Sequence, residues 1–195
     1  MPAAEPDGLR VAVDLHGTLD EGSPTGVITR RSKEAYRALL RVGLVPWILS
    51  FIGPNPELRA KAEQQRVELA RFLGLPTELP EGPTTQGVYL LVCSKRVSTQ
   101  SDPNSGKPYE CLVRNCTLLI DDRVVICEAC ERAGVLAYQA NRNALTRRRD
   151  QYRAQLPFAH GPSPDLATAV ERLLADRASG RLDQKLAFVW EKRKG

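Results

Sequence analysis

A chain of 195 residues, 42% hydrophobic and 26% charged, is long enough for one domain with a sizeable core plus an appendage, and its composition is that of an ordinary soluble globular protein. No apolar run approaches the roughly 20 residues that a membrane helix needs. The polar start MPAAEPDGLR has neither the basic and apolar regions of a secretory leader nor the Arg-rich character of a transit peptide, so the expected location is cytoplasmic or nuclear, with no membrane partner. The net charge of +5 is unevenly placed: residues 1–140 hold 16 Lys/Arg against 17 Asp/Glu, and residues 141–195 hold 12 against 6.

Leu9 to Leu15 read as a buried strand that runs into turn residues. A polar stretch with Gly22, Pro24 and Gly26 separates it from a helix over 30–42, which Gly43 stops. Residues 44–52, LVPWILSFI, form a second strand, with Pro46 tolerable near its start. Asn55-Pro56 opens the next helix, an Asn cap followed by Pro at the first helical position. Leu58, Ala62, Leu69, Phe72 and Leu73 recur at helical spacing as far as Gly74. A Pro/Gly/Thr-rich loop over 75–87 leads to a third strand, VYLLVC, 88–93. The polar STQSDPNSG leads to a short helix over 108–115, and TLLI, 117–120, is a fourth strand ending in Asp121-Asp122. A helix over 124–133 closes at Gly134, and VLAYQ, 135–139, is the fifth strand.

After residue 140 the pattern changes. Residues 144–156 read as helical and include Arg147-Arg148-Arg149. Ser163-Pro164 starts another helix with Leu166, Val170, Leu173 and Leu174 on one face, and LAFVW, 186–190, is a last apolar segment. That apolar face needs a partner, either the core or a second copy of the chain. The basic excess fits an acidic partner such as nucleic acid, or a solvated helix face.

Strands alternating with helices predict an α/β fold: a Rossmann-like parallel sheet of about five strands with helices on both faces, joined by right-handed crossovers. Residues 8–140 form this core domain and 141–195 a basic, mainly helical extension. Asp14, Ser50 and Asp121/Asp122 all fall at strand C-termini, the edge where ligands bind in open α/β sheets. The five cysteines have no framework spacing. Cys127 and Cys130 form a CxxC, but a tetrahedral zinc site needs a second pair, and these two read as small buried hydrophobes. SGKP resembles the end of a phosphate-binding loop but has Ser101 where Gly is needed and Pro108 where Ser or Thr is needed. His160 is the only histidine besides His16 and reads as structural or exposed.

The order of these motifs resembles the haloacid dehalogenase superfamily of phosphohydrolases over residues 9–140. Its first motif, Asp-x-Asp-Gly-Thr after an apolar strand, matches Asp14-Leu15-His16-Gly17-Thr18, with histidine in place of the second aspartate. Ser50 matches the second motif. The third-motif lysine is Lys107 or, as runner-up, Lys95. Asp121-Asp122 match the fourth, an acidic pair ending a strand.

The resemblance implies a Mg²⁺-dependent phosphatase-type hydrolase. Asp14 is then the nucleophile that forms an aspartyl-phosphate. Asp14, Asp121, Asp122 and the His16 backbone carbonyl are the implied metal ligands. Lys107 screens charge, and Thr18, Ser50 and Lys107 hold phosphoryl oxygens. The acid/base carboxyl of the family is missing at position 16, where an imidazole, with an ordinary pKa of about 6.5, can do the same proton work. The short gaps over 19–29 and 94–106 imply a capless member. An open site of that kind goes with macromolecular phosphorylated substrates, or with homo-oligomers whose subunits close each other's sites. The alternative is a catalytically impaired module of the same fold that binds a partner or nucleic acid through its basic tail.

Overall fold

The computed structural model describes residues 9–21, 23, 26–52, 55–79, 87–93, 106–140 and 163–192. Five strands form one parallel sheet: β1 (Arg10–Asp14), β2 (Val45–Phe51), β3 (Tyr89–Cys93), β4 (Cys116–Asp121) and β5 (Leu136–Gln139). Their order is β3-β2-β1-β4-β5. The apolar runs are continuous because central parallel strands are covered on both faces: Val11, Ala12 and Val13 are fully buried. Pro46 lies inside this sheet without breaking it. Val45 N–H donates to Leu9 C=O on the β1 side. The next position faces β3, whose pairing begins only at Trp47 opposite Tyr89.

Six helices flank the sheet among the described residues: α1 (Arg30–Arg41), α2 (Pro56–Leu73), α3 (Gly106–Val113), α4 (Val124–Arg132), α5 (Leu166–Ala178) and α6 (Arg181–Lys192). The two-residue period of the strands sorts them onto two faces. Val11, Val13, Ile48, Leu118, Ile120 and Tyr138 pack with α1, α2, α5 and α6. Ala12, Leu49, Leu119 and Ala137 pack with α3 and α4. The sheet and the helices on both of its faces thus match the α/β expectation.

Several local boundaries differ from those the sequence suggests. β1 ends at Asp14, and Leu15 starts a wide turn closed by Asp20 N–H to Leu15 C=O at 3.0 Å. α3 starts at Gly106 rather than 108. Ser163-Pro164 does not start a helix: Ser163 N–H bonds Gln139 C=O beside β5 (3.0 Å), and α5 begins at Leu166. The true cap is Asp165, which accepts from Thr168 N–H at 2.8 Å. The apolar stretch 186–190 is part of a full helix, α6.

The described part of the tail packs on the core. Leu166, Ala169, Val170, Leu173, Leu182 and Val189 join the same apolar cluster as β1. A polar lock lies within that packing. Buried Asp176 accepts from Tyr138 Oη (2.7 Å) and Lys185 Nζ (2.6 Å), and pairs with Arg181 Nε (3.2 Å). Burial, then the Asp176 carboxylate, pushes the Tyr138 phenol above its ordinary value, so it remains a donor. Residues 144–156, with Arg147-Arg148-Arg149, and His160 lie outside the described residues.

Candidate functional site

The sheet reverses direction of travel beside β1: β2 lies on one side of it and β4 on the other. The C-terminal ends of β1 and β4 therefore flank a topological switch point, where a crevice opens in folds of this kind. Strand parity decides what meets there. Asp14 follows Ala12, and Asp121 follows Leu119, so both side chains stand on the α3/α4 face.

α3 lies on that face and supplies Lys107. Its Nζ donates to Asp14 Oδ1 and to Asp121 Oδ2, each at 2.5 Å, and all three side chains are buried. Arg123 N–H holds the other Asp121 oxygen at 2.9 Å. Carboxylate oxygens of Asp14, Asp121 and Asp122 lie within 4.8 Å of one another. Three such groups around one ammonium leave negative charge uncompensated. Burial lifts the Asp14 carboxyl to about 7 against the pull of Lys107, with Asp121 adding to the rise. Burial and then Asp121 lift Asp122 to about 7 as well. Burial disfavours the Lys107 ammonium, but the two carboxylates outweigh it and its pKa ends above the ordinary value.

The wide turn after β1 shapes the rest. Gly17 has φ +89°, and a Cβ there would lie 2.6 Å from Asp122 Oδ2. Only glycine allows the turn to press against that carboxylate. Thr18 is buried, and its Oγ1 reaches Asp14 Oδ2 at a long 3.5 Å, so it orients the carboxylate as well as lining the site. His16 does not join the carboxylates with its ring. Its Nδ1 lies 2.9 Å from Asp20 Oδ2, and its side chain is 43% exposed. The Asp20 hydrogen bond, opposed in part by burial, raises the His16 pKa above its ordinary value.

Lys107, Asp14, Asp121 and Asp122 are thus brought together, with Thr18 against them. Ser50 is at the same sheet edge but takes the parity of Ile48 and Ile52, on the opposite face from Asp14. Its buried hydroxyl has no hydrogen-bond partner among the described residues. Lys95 lies outside the described residues. Cys127 and Cys130 pack with Cys111 and Cys116 in the apolar cluster under α3 and α4, and burial pushes the Cys130 thiol up.

Two contributors went unread in the sequence. Asp20 holds both His16 and Gly17 N–H, the latter at 2.8 Å, through a turn with non-helical dihedrals that no sequence periodicity marks. Gln139 Nε2 donates to Asp122 C=O at 3.2 Å from the end of β5, a contact with no local signal.

No protein-family model matches this chain, and no curated protein matches it. Among solved structures it is similar to a hypothetical protein from Xanthomonas campestris, at 13% identity and a TM-score of 0.47, over 92% of this chain and 87% of that one.

Proposed function

We propose that this chain is a Mg²⁺-dependent phosphatase-type hydrolase of the haloacid dehalogenase kind, acting on phosphoric monoesters through an aspartyl-phosphate on Asp14. The observation that carries the reading is Lys107 Nζ held at 2.5 Å from both Asp14 and Asp121, with Asp122 beside them. A carboxylate that attacks a phosphate dianion must have charge neutralised around it. A buried lysine bonded to the nucleophile itself does so, whereas a solvated strand end needs no such partner.

The residues also fit the cation. Mg²⁺ prefers oxygen ligands and is held by one or two carboxylates plus waters, and this cluster offers three carboxylates with excess negative charge. Asp14, Asp121 and Asp122, with the His16 backbone carbonyl, would hold it. When bound, it neutralises charge on the phosphoryl oxygens.

The protein's own residues divide the remaining work. Asp14 Oδ forms the bond to phosphorus as the ester P–O bond breaks, and protonated His16 gives its Nε2 proton to the departing alkoxide. Water then attacks phosphorus and the bond to Asp14 breaks. The water's proton goes to Nε2, which regenerates carboxylate and imidazolium and releases hydrogen phosphate. Lys107 keeps Asp14 aligned and screens it throughout.

The test is hydrolysis of p-nitrophenyl phosphate with Mg²⁺ by wild type, Asp14→Asn and His16→Asp. The reading expects metal-dependent turnover by wild type and none by Asp14→Asn. Turnover by His16→Asp alone would mark a scaffold that has given up the reaction. The basic extension would then be the part to assay, through salt-sensitive nucleic-acid binding.

A further inference from the structure

We propose that Asp20 is a positioning residue that holds neutral His16 as its Nδ1–H tautomer and so leaves Nε2 as the unprotonated, proton-accepting nitrogen of the ring. The use of that acceptor rests on the phosphatase reading; the tautomer does not.

Both Asp20 oxygens are committed. Oδ1 accepts Gly17 N–H at 2.8 Å, and Oδ2 lies 2.9 Å from His16 Nδ1. A backbone N–H can only donate, so it fixes which way the carboxylate faces. An ionised carboxylate can only accept, so the neighbouring Nδ1 must carry a proton. Nε2 stands on the other side of the ring and has no hydrogen-bond partner among the described residues, while the side chain is 43% exposed. The backbone enforces the pairing. The turn closed by Asp20 N–H and Leu15 C=O brings Asp20, 2% exposed, beneath a half-exposed imidazole. A residue needed only to close this turn would require one oxygen, for Gly17. The second contacts the imidazole and fixes the orientation of a ring that is 43% exposed. In the hydrolytic half of the reaction, the neutral imidazole must take a proton from water through Nε2, and the Nδ1–H tautomer is the form that can.

The geometry makes Asp20→Asn a sharp test. Gly17 N–H still needs an acceptor, so the amide oxygen stays on it and the NH₂ turns to His16. That NH₂ donates to Nδ1 and drives the ring proton onto Nε2. The same inversion in serine proteases costs about 10⁴-fold in kcat.

Two-bond ¹H–¹⁵N correlation spectra of the 195-residue chain are recorded at alkaline pH, where the imidazole is neutral, with His16→Gln identifying the resonance. The expected result is Nδ1–H in wild type and Nε2–H in Asp20→Asn. An Nε2–H tautomer or an equal mixture in wild type overturns the proposal, as does an unchanged tautomer in the variant. If Asp20→Asn does not fold, the wild-type spectrum decides alone. In turnover of p-nitrophenyl phosphate, Asp20→Asn lowers kcat by about 10²-fold or more with KM little changed, and costs nothing further in a His16→Gln background. An equal loss in both backgrounds marks a merely structural role and overturns the positioning claim. Failure of the phosphatase reading would look different: no Asp14-dependent hydrolysis beside an intact tautomer switch.

Discussion

At the scale of single residues, Lys107 decides whether this sheet edge is a site. Replacing it with methionine keeps the length of the side chain and leaves Asp14 and Asp121 buried without their cation. Breaking one partner out of a buried ion pair costs about 3–5 kcal/mol, so urea unfolding of metal-free Lys107→Met should show a loss of that order. A loss below about 1 kcal/mol would mean that the three-way contact contributes little. The carboxylates also set a pH dependence. Asp14 and Asp122 are lifted to about 7, mainly by burial, against an ordinary aspartate value of about 3.9. Folded protein binds these protons more tightly than unfolded chain does. Their contribution to stability is therefore complete below about pH 4 and is lost as pH rises through about 7. Mg²⁺ that binds only the folded, ionised cluster should raise the urea midpoint more at pH 8 than at pH 5. A Mg²⁺ shift independent of pH would contradict that.

At the scale of elements, the wide turn between β1 and the loop to α1 is the least regular part of the site. Gly17→Ala places a methyl 2.6 Å from Asp122 Oδ2 on a backbone with φ +89°. Gly43→Ala is the control, with φ +75° and nothing within 4 Å. Left-handed strain alone costs roughly 1–2 kcal/mol. Gly43→Ala should lose about that much stability and no activity, whereas Gly17→Ala should also lose Mg²⁺-dependent hydrolysis, by at least about tenfold. Equal behaviour of the two variants would remove the steric argument for Gly17. This turn also shows where sequence reading stops. The strands were legible because their apolar runs are bounded by turn residues, and α2 because Asn55-Pro56 and Gly74 mark its ends. The histidine–aspartate contact was not legible, because it depends on non-helical dihedrals at His16 and Gly17 inside a turn that no periodicity encodes. α5 starts later than Ser163-Pro164 suggests for a related reason: Ser163 has the look of a cap but is drawn to the edge of β5, and Asp165 does the capping.

At the scale of the whole molecule, the sheet order brings Asp14 and Asp121 together, and strand parity turns both toward Lys107 while sending Ser50 to the other face. Order and parity follow from the pairing of β1 with both β2 and β4, segments distant from it in the chain, so the sequence could name the four acidic and basic residues but not the separation of Ser50 from them. The C-terminal helices belong to the same physical unit, since α5 and α6 pack on β5 and extend the apolar cluster that includes β1. Asp176→Ala should therefore destabilise the chain by about 3–5 kcal/mol, because it removes the buried carboxylate that pairs with Lys185 and accepts from Tyr138. A chain cut before Ser163 should bind hydrophobic dyes as an exposed core does. A cut chain that unfolds cooperatively with wild-type stability would contradict this.

Whether Asp14 carries the phosphoryl group is tested most directly by borohydride reduction of protein quenched during turnover of an aryl phosphate with Mg²⁺, followed by peptide mass spectrometry. An acyl-phosphate on Asp14 is reduced to homoserine, so the account predicts homoserine at position 14 in wild type and none without substrate. Wild type that hydrolyses the ester and yields only unmodified Asp14, or that leaves both the ester and Asp14 untouched, would contradict it.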